Sequence, residues 1–265
     1  MSAKPRIALI CHSDDVFNHD LVSRWLASFA QLVGIVEIEE RGEVMWRRLR
    51  AERRRVGITR LLDVFAFRAY YRLALAADDA AWVRAAIARA AQTWQAPDPA
   101  PPVLRTHDPN DETVRAFLER VAPDLAVARC KWLLRRAIYR VPRLGTVVLH
   151  PGICPQYRNS HGCFWALASD DPDNVGMTLL AIDDGIDTGP VYGYYRYPFD
   201  ALRESHARIQ HRVFLENAGA IRDRLLAICA GQASPLPVAN VRSRVWGQPW
   251  LSAYVHYRRK LRGTT

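Results

Sequence analysis

The chain has 265 residues, 49% of them hydrophobic, and a formal net charge of +10. That length suits one large domain, or one domain with a small appendage, and supplies enough apolar residues for a substantial core. No stretch approaches the ~18 uninterrupted apolar residues of a membrane-spanning helix. Five cysteines at irregular spacing exclude a disulfide framework and fit free thiols in a reducing cytoplasm. The pI is about 9.7, an imbalance that can mark nucleic-acid or anionic-membrane binding. The excess is mostly arginine, concentrated in MWRRLRAERRRVGITR and YVHYRRKLRG. These clusters read first as solvated helix faces and second as contacts for an anionic substrate or partner.

The opening MSAKPRIALICHSDD has one short apolar run that turns acidic at once. It lacks the h-region and cleavage site of a signal peptide, and Arg6 to Cys11 reads as a first strand. An amphipathic helix at about Asn18 to Gln31 and a strand at Val33 to Ile38 complete a β-α-β opening. ICHSDD holds no glycine, so a phosphate loop or dinucleotide fingerprint has little support. From about Gly42 to Gln95 the apolar spacing predicts an amphipathic helix or helix pair, breakable at Gly57. Its FAFRAYY segment reads as a packing face, with a membrane-surface or partner helix as the sharper alternative. Pro97 to Val103 is a Pro-rich loop. Asp108 to Val121 reads as a helix with Asp108 and Asn110 as candidate N-caps.

Leu125 to Ala128 is a short buried strand, and Val147 to Leu149 and Met177 to Ile182 are turn-bounded runs of the same kind. Tyr192 to Tyr197 reads as an aromatic strand and Glu204 to Cys229 as one long helix. Residues 231–265 hold turns, the cluster Trp246-Gly247-Gln248-Pro249-Trp250 and a basic tail helix. The alternation of strands and helices predicts the α/β class.

Two side chains stand out for chemistry. The run ending at Leu149 delivers His150 into a turn bracketed by Pro151 and Pro155. The run ending at Ile182 opens into an acidic, Gly-punctuated loop that carries Asp187. A His and a carboxylate at strand ends are groups that can transfer protons. Against this, a lone His is commonly structural, and Asp is common in turns for local backbone reasons.

The ordered set His150, Pro151, Pro155, Tyr157, Arg158, Trp165, Ala166, Gly176, Thr178, Asp184, Gly185, Asp187, Thr188 and Gly189 resembles the formyltransferase family. That family moves a formyl group from 10-formyltetrahydrofolate to amines. The resemblance runs from about Arg6 to Arg224, most securely from Pro123 to Val191. It implies a Rossmann-like, mostly parallel sheet with helices on both faces over residues 1–230, carrying a helical insertion at about 42–95 and a C-terminal extension at 231–265. It implies His150 and Asp187 as catalytic groups, and Leu133, Leu134 and the loop at Asp184 as contacts for the folate. The expected acceptor is a small-molecule amine, an amino sugar or an amino-acid derivative, in a cytoplasmic protein without a membrane span; a homodimer is left open. Residues 231–265 are too few for the β-barrel appendage of methionyl-tRNA formyltransferases, which argues against initiator tRNA.

One departure bears on the chemistry. The family pattern has an Asn two residues before the His, a donor for the developing oxyanion, and here that position is Val148. A Val side chain donates no hydrogen bond. Arg129, Lys131, Asn159 and His161 are the nearby groups able to replace it, with Asn159 and His161 favoured. His150, Cys154, His161 and Cys163 are zinc-type ligands, but their spacing is not that of a knuckle and no metal is expected. Two alternatives to transfer stay open: hydrolysis of formyl-folate, and a catalytically inactive member that binds a ligand or partner.

Overall fold

The computed structural model describes residues 4–40, 42–238 and 241–263. In chain order it has β1 (Arg6–His12), a π-helical turn (Phe17–Val22) leading into α1 (Ser23–Phe29), β2 (Gln31–Ile38), α2 (Gly42–Ala74), α3 (Ala76–Thr93), β3 (Val103–Thr106) and α4 (Glu112–Val121). Then come β4 (Leu125–Arg129), α5 (Arg136–Tyr139), β5 (Thr146–His150), β6 (Arg158–Asn159), α6 (Gly162–Ala168), β7 (Met177–Ala181) and β8 (Val191–Tyr195). The chain closes with α7 (His206–Glu216), α8 (Ala218–Cys229), β9 (Val245–Trp246) and α9 (Leu251–Gly263).

Seven strands form one sheet in the order β3-β2-β1-β4-β5-β7-β8. The five from β3 to β5 run parallel, and β7 and β8 complete the edge antiparallel. This is the mostly parallel α/β architecture that the strand pattern and the resemblance imply. The middles of the central strands are apolar on both faces because both faces are covered. Ile7 and Leu9 of β1 join Leu125 and Val127 of β4 in one core, with α1, α6, α7 and α8. Ala8, Ile10, Ala126 and Ala128 point the other way, into a second core with α4 and α5.

Several elements differ from the sequence-based expectation. Helix α4 begins at Glu112, and its N-cap is Asp111, whose carboxylate accepts from the Val114 N–H at 3.0 Å. Asp108 accepts instead from the Asn110 N–H, and Asn110 holds the 133–135 loop through the Leu133 carbonyl and the Arg135 N–H. The helix expected over Glu204 to Cys229 is two helices. Ser205 caps the first, and the break falls at Asn217 (φ −114°, ψ 10°), whose carboxamide donates to the Val213 and Arg196 carbonyls. Strand β3, an edge strand with mixed exposure, lacks the apolar run that marks its neighbours and follows directly on the Pro-rich loop.

The segment after α8 lies across the helical layer beside β5. Strand β9 pairs with β6. Trp246 stacks on Trp165, with ring centroids 4.7 Å apart, and the Trp165 indole donates to the Gly247 carbonyl at 2.8 Å. Tyr254 of α9 packs on Phe67 and Tyr70 of α2, so part of FAFRAYY is a packing face, while Phe65 is exposed. Truncating Trp165, 3% exposed, to Ala is expected to cost about 3–5 kcal/mol in urea unfolding. A loss under about 1 kcal/mol would mean that this ring does not weld the C-terminal segment to the sheet layer.

Candidate active site

His150 sits at the C-terminal end of β5, 3% exposed. The turn that follows is pinned to β7, because the Thr178 hydroxyl donates to the Gly152 carbonyl at 2.7 Å and accepts from the Cys154 N–H at 3.0 Å. His150 and Thr178 are paired across the β5–β7 register, so the ring and its clamp are set by the same strand pair. The turn closes so tightly that a Cβ on Gly152 would lie 2.6 Å from the Tyr157 carbonyl oxygen and 2.9 Å from His150 Nε2. Within it, Nε2 lies 2.8 Å from the Tyr157 carbonyl. A carbonyl only accepts, so Nε2 carries the proton. Nδ1 faces Asp187, 3.4 Å from Oδ2.

Asp187 is held at its end by backbone chemistry. It adopts a left-handed φ of 49°, and its Oδ2 accepts the Asn159 N–H at 2.7 Å. Arg158 reaches over the loop to donate to the Ile186 carbonyl at 3.0 Å. Asp183 stabilises the same loop by accepting from the Gly185 N–H and the Thr188 hydroxyl. The Asp-Gly-rich composition thus builds the loop, and Asp187 is the carboxylate that the loop aims at His150.

Burial alone would lower the His150 pKa. The Cys154 sulfur, the Asp187 carboxylate and the Tyr157 carbonyl outweigh it, and the imidazole is raised from 6.5 to about 9. The shift favours the protonated ring, which is a donor at both nitrogens. His161 is the reverse case: burial first, then the charges of Lys131 and Arg68, push it down to about 4. His206 and His211 are likewise lowered by burial, to about 3 and about 4.

Beside Asp187 a cleft of about 100 Å³ opens between the ends of β4, β5 and β7, lined by Leu133, Leu134, Val148, Ile182 and Asp184 among others. Leu134 is buried, while Leu133 is 63% exposed at the lip. The Asp184 carboxylate accepts from the Tyr139 hydroxyl at 2.8 Å. Val148 is half-buried and contributes only methyl groups to the wall. Among the described residues, no group of three His, Cys, Asp or Glu side chains is placed to hold a metal ion.

The structure brings His150, Asp187 and the backbone of Asn159 together. The Asn159 carboxamide is turned away and donates to the Trp246 carbonyl, which corrects the expectation that it replaces the missing donor. The contacts of His161 run to Gln248 and to the His206 ring, 6.2 Å away, and not to the His150–Asp187 pair. The Arg129 guanidinium donates to the Leu149 carbonyl and to Asn18, bracing the residue before His150. Sequence reading missed the Tyr157 carbonyl and the Asn159 N–H, because backbone groups leave no residue-type signal.

A group raised above its ordinary pKa stabilises the fold fully below that ordinary value and loses its contribution as pH rises through the folded one. The stability gap between the natural chain and His150→Gln is thus expected to be widest below pH 6.5 and to close as pH rises through about 9. Urea titrations across that range measure it. A gap that widens with pH would mean that the folded imidazole is neutral.

The sequence profile described as formyl transferase matches residues 77–224, more than half of the chain. Curated relatives include the methionyl-tRNA formyltransferase of Bacteroides fragilis, 29% identical over 168 residues that cover 58% of this chain and 52% of the relative. That of Sorangium cellulosum is 33% identical over 143 residues, 51% of this chain and 43% of the relative. The chain spans about half the length of the curated relatives it matches. Its fold is shared with glycinamide ribonucleotide transformylase 1 from Symbiobacterium toebii (TM-score 0.54, 12% identity, 93% of this chain and 96% of that one). It is shared also with a sugar N-formyltransferase from Shewanella sp FDAARGOS_354 (TM-score 0.52, 12% identity, 91% and 76%). With the matched segment carrying both β5 and the Asp187 loop, the chain belongs to the formyl transferase family, as a member with Val148 where the motif has Asn.

Proposed function

We propose that this chain transfers a formyl group from 10-formyltetrahydrofolate to a small-molecule amine, an amino sugar or an amino-acid derivative. The observation that carries the reading is the 3.4 Å approach of the buried His150 to Asp187 beside a ring-sized cleft at the strand ends. The cleft suits the ring end of a folate. Its walls combine aliphatic Leu134, Val148, Leu180 and Ile182 with Trp132 and the Asp183 and Asp184 carboxylates, and Leu133 stands in water at the lip, where a flat ring would cover it. At about 100 Å³ it is smaller than the ~300–1,000 Å³ usual for drug-sized ligands, so it takes a ring-sized portion only. Leu133, Leu134 and the backbone near Asp184 would hold that portion, and the folate would supply the formyl group.

The chain's own groups then divide the work. His150 Nε2–H is committed to the Tyr157 carbonyl, so Nδ1–H is the proton directed at the formyl oxygen as negative charge gathers there. Asp187 Oδ2 is engaged by the Asn159 N–H, which leaves Oδ1 to receive the proton of the attacking amine, and that proton would be returned to the folate nitrogen as it departs. With Val148 silent and the Asn159 carboxamide spent on Trp246, the imidazolium carries the oxyanion load. A non-turning binding member is the reading that Val148 itself favours.

The test is an assay of formyl-folate loss and formylated product against amino sugars, amino-acid derivatives and methionyl-tRNA. Transfer to a small amine is expected. Loss of formyl without any amine would make the protein a hydrolase, and tight binding of a non-transferable folate analogue without turnover would make it a binding protein. Product from methionyl-tRNA alone would overturn the small-molecule acceptor. His150→Ala is expected to lower turnover by roughly 10²–10⁴-fold, and unchanged turnover would remove His150 from the chemistry. Val148→Asn adds a donor beside a cation that works alone, and is expected to raise turnover by up to about 10²-fold. No change would mean that the oxyanion already has a second donor.

A further inference from the structure

Helix α2 carries more apolar surface than its packing uses. Its inward face, with Val64 and Phe67 buried, already meets α6 and α9 through Phe164 and Tyr254. On the outward face Ile58 is 66% exposed, Leu62 63%, Phe65 42% and Leu73 88%. Together with exposed Ala69 these residues are spaced four, three, four and four apart, which places them in one stripe along the helix. The stripe starts just after Gly57, whose left-handed φ of 79° breaks the helix into two limbs. The limb before the break exposes Trp46, Arg50, Arg53 and Arg54. Among the described residues, Arg50, Arg53, Arg54 and Arg72 take part in no ion pair.

The charge of this element decides between occupants. Over Gly42–Ala74 the sequence has nine arginines against three acidic residues, a net +6. A symmetric contact between two copies through α2 would set that charge against itself. Nucleic acid would match the charge but makes no use of aliphatic Ile58, Leu62 and Leu73. An apolar stripe flanked by arginines and a Trp is what seats a helix flat in the headgroup region of an anionic bilayer. No described helix is long and apolar enough to cross a membrane, so the contact is interfacial. We propose that α2 docks this protein on anionic lipid surfaces, with the Ile58–Leu73 stripe in the acyl boundary and the arginines on the headgroups.

The experiment is co-sedimentation of the full chain with vesicles of phosphatidylcholine alone and of phosphatidylcholine mixed with phosphatidylglycerol. Pelleting is expected with the mixed vesicles and not with the neutral ones. Leu62→Asp with Leu73→Asp, at positions 63% and 88% exposed, is expected to weaken binding at least about tenfold while the thermal melt stays in place. Arg53→Gln with Arg54→Gln is expected to weaken it by about fivefold per charge removed. Equal pelleting with both vesicles, or none with either, overturns the proposal. So does self-association that the Leu62→Asp/Leu73→Asp variant abolishes, which would make a second copy the occupant. Single-stranded RNA binding that needs Arg53 and Arg54 but not Leu62 would overturn it in favour of nucleic acid.

Discussion

The site depends on one short contact, the 2.8 Å hydrogen bond from His150 Nε2 to the Tyr157 carbonyl. It fixes the ring in a plane, fixes the proton on Nε2 and leaves Nδ1 as the nitrogen facing Asp187. Everything around it serves that contact. Thr178 clamps the turn, Gly152 permits a close approach, and the Leu149 carbonyl is tied to Arg129. Burial of an imidazole normally favours the neutral form. Here the Cys154 sulfur, the Asp187 carboxylate and the Tyr157 carbonyl outweigh burial and favour the charged ring. A cation so placed is a poor base and a strong donor.

The second constraint is the C-terminal segment. Asn159 belongs to two structures at once. Its N–H holds Asp187, while its side chain and strand pairing belong to Trp246 of the last segment. Trp246 in turn stacks on Trp165 and Tyr157. The Asp187 loop is therefore braced by a segment 87 residues beyond Asn159 in the chain. The aromatic stack also shields Tyr157, whose carbonyl orients His150. Positioning here travels through packed rings and backbone hydrogen bonds.

Much of this was legible in the sequence. The β-branched runs announced β1, β2, β4, β5 and β7, because strands buried on both faces must be apolar at every position. His150 and Asp187 stood out as polar groups at the ends of such runs. The elements that escaped were those set by tertiary context. Strand β3 is an edge with mixed exposure, and the break at Asn217 is a matter of dihedral angles, with a side chain that donates back to the Val213 carbonyl of α7. Asp111 outcompeted Asp108 as the cap through a geometric difference that residue type does not encode. The Asn159 carboxamide was misjudged for the same reason: its type suggested a donor for the site, and its fold gave it the Trp246 carbonyl.

Val148 gains sense from this arrangement. Its register partners are Ala128 on one side and Leu180 on the other, and its neighbours across the cleft include Leu134 and Ile182. An Asn left without a partner among these four aliphatic side chains would cost about 1–3 kcal/mol. A Val keeps the wall apolar and removes a neutral donor from beside Nδ1. The protein thus holds a hydrophobic surface and a charged donor side by side, with the 3.4 Å gap between Nδ1 and Asp187 as the place where they meet. Charge-assisted hydrogen bonds are about twice as strong as neutral ones, so a protonated His150 ring would be a stronger donor than the carboxamide that Val148 replaces.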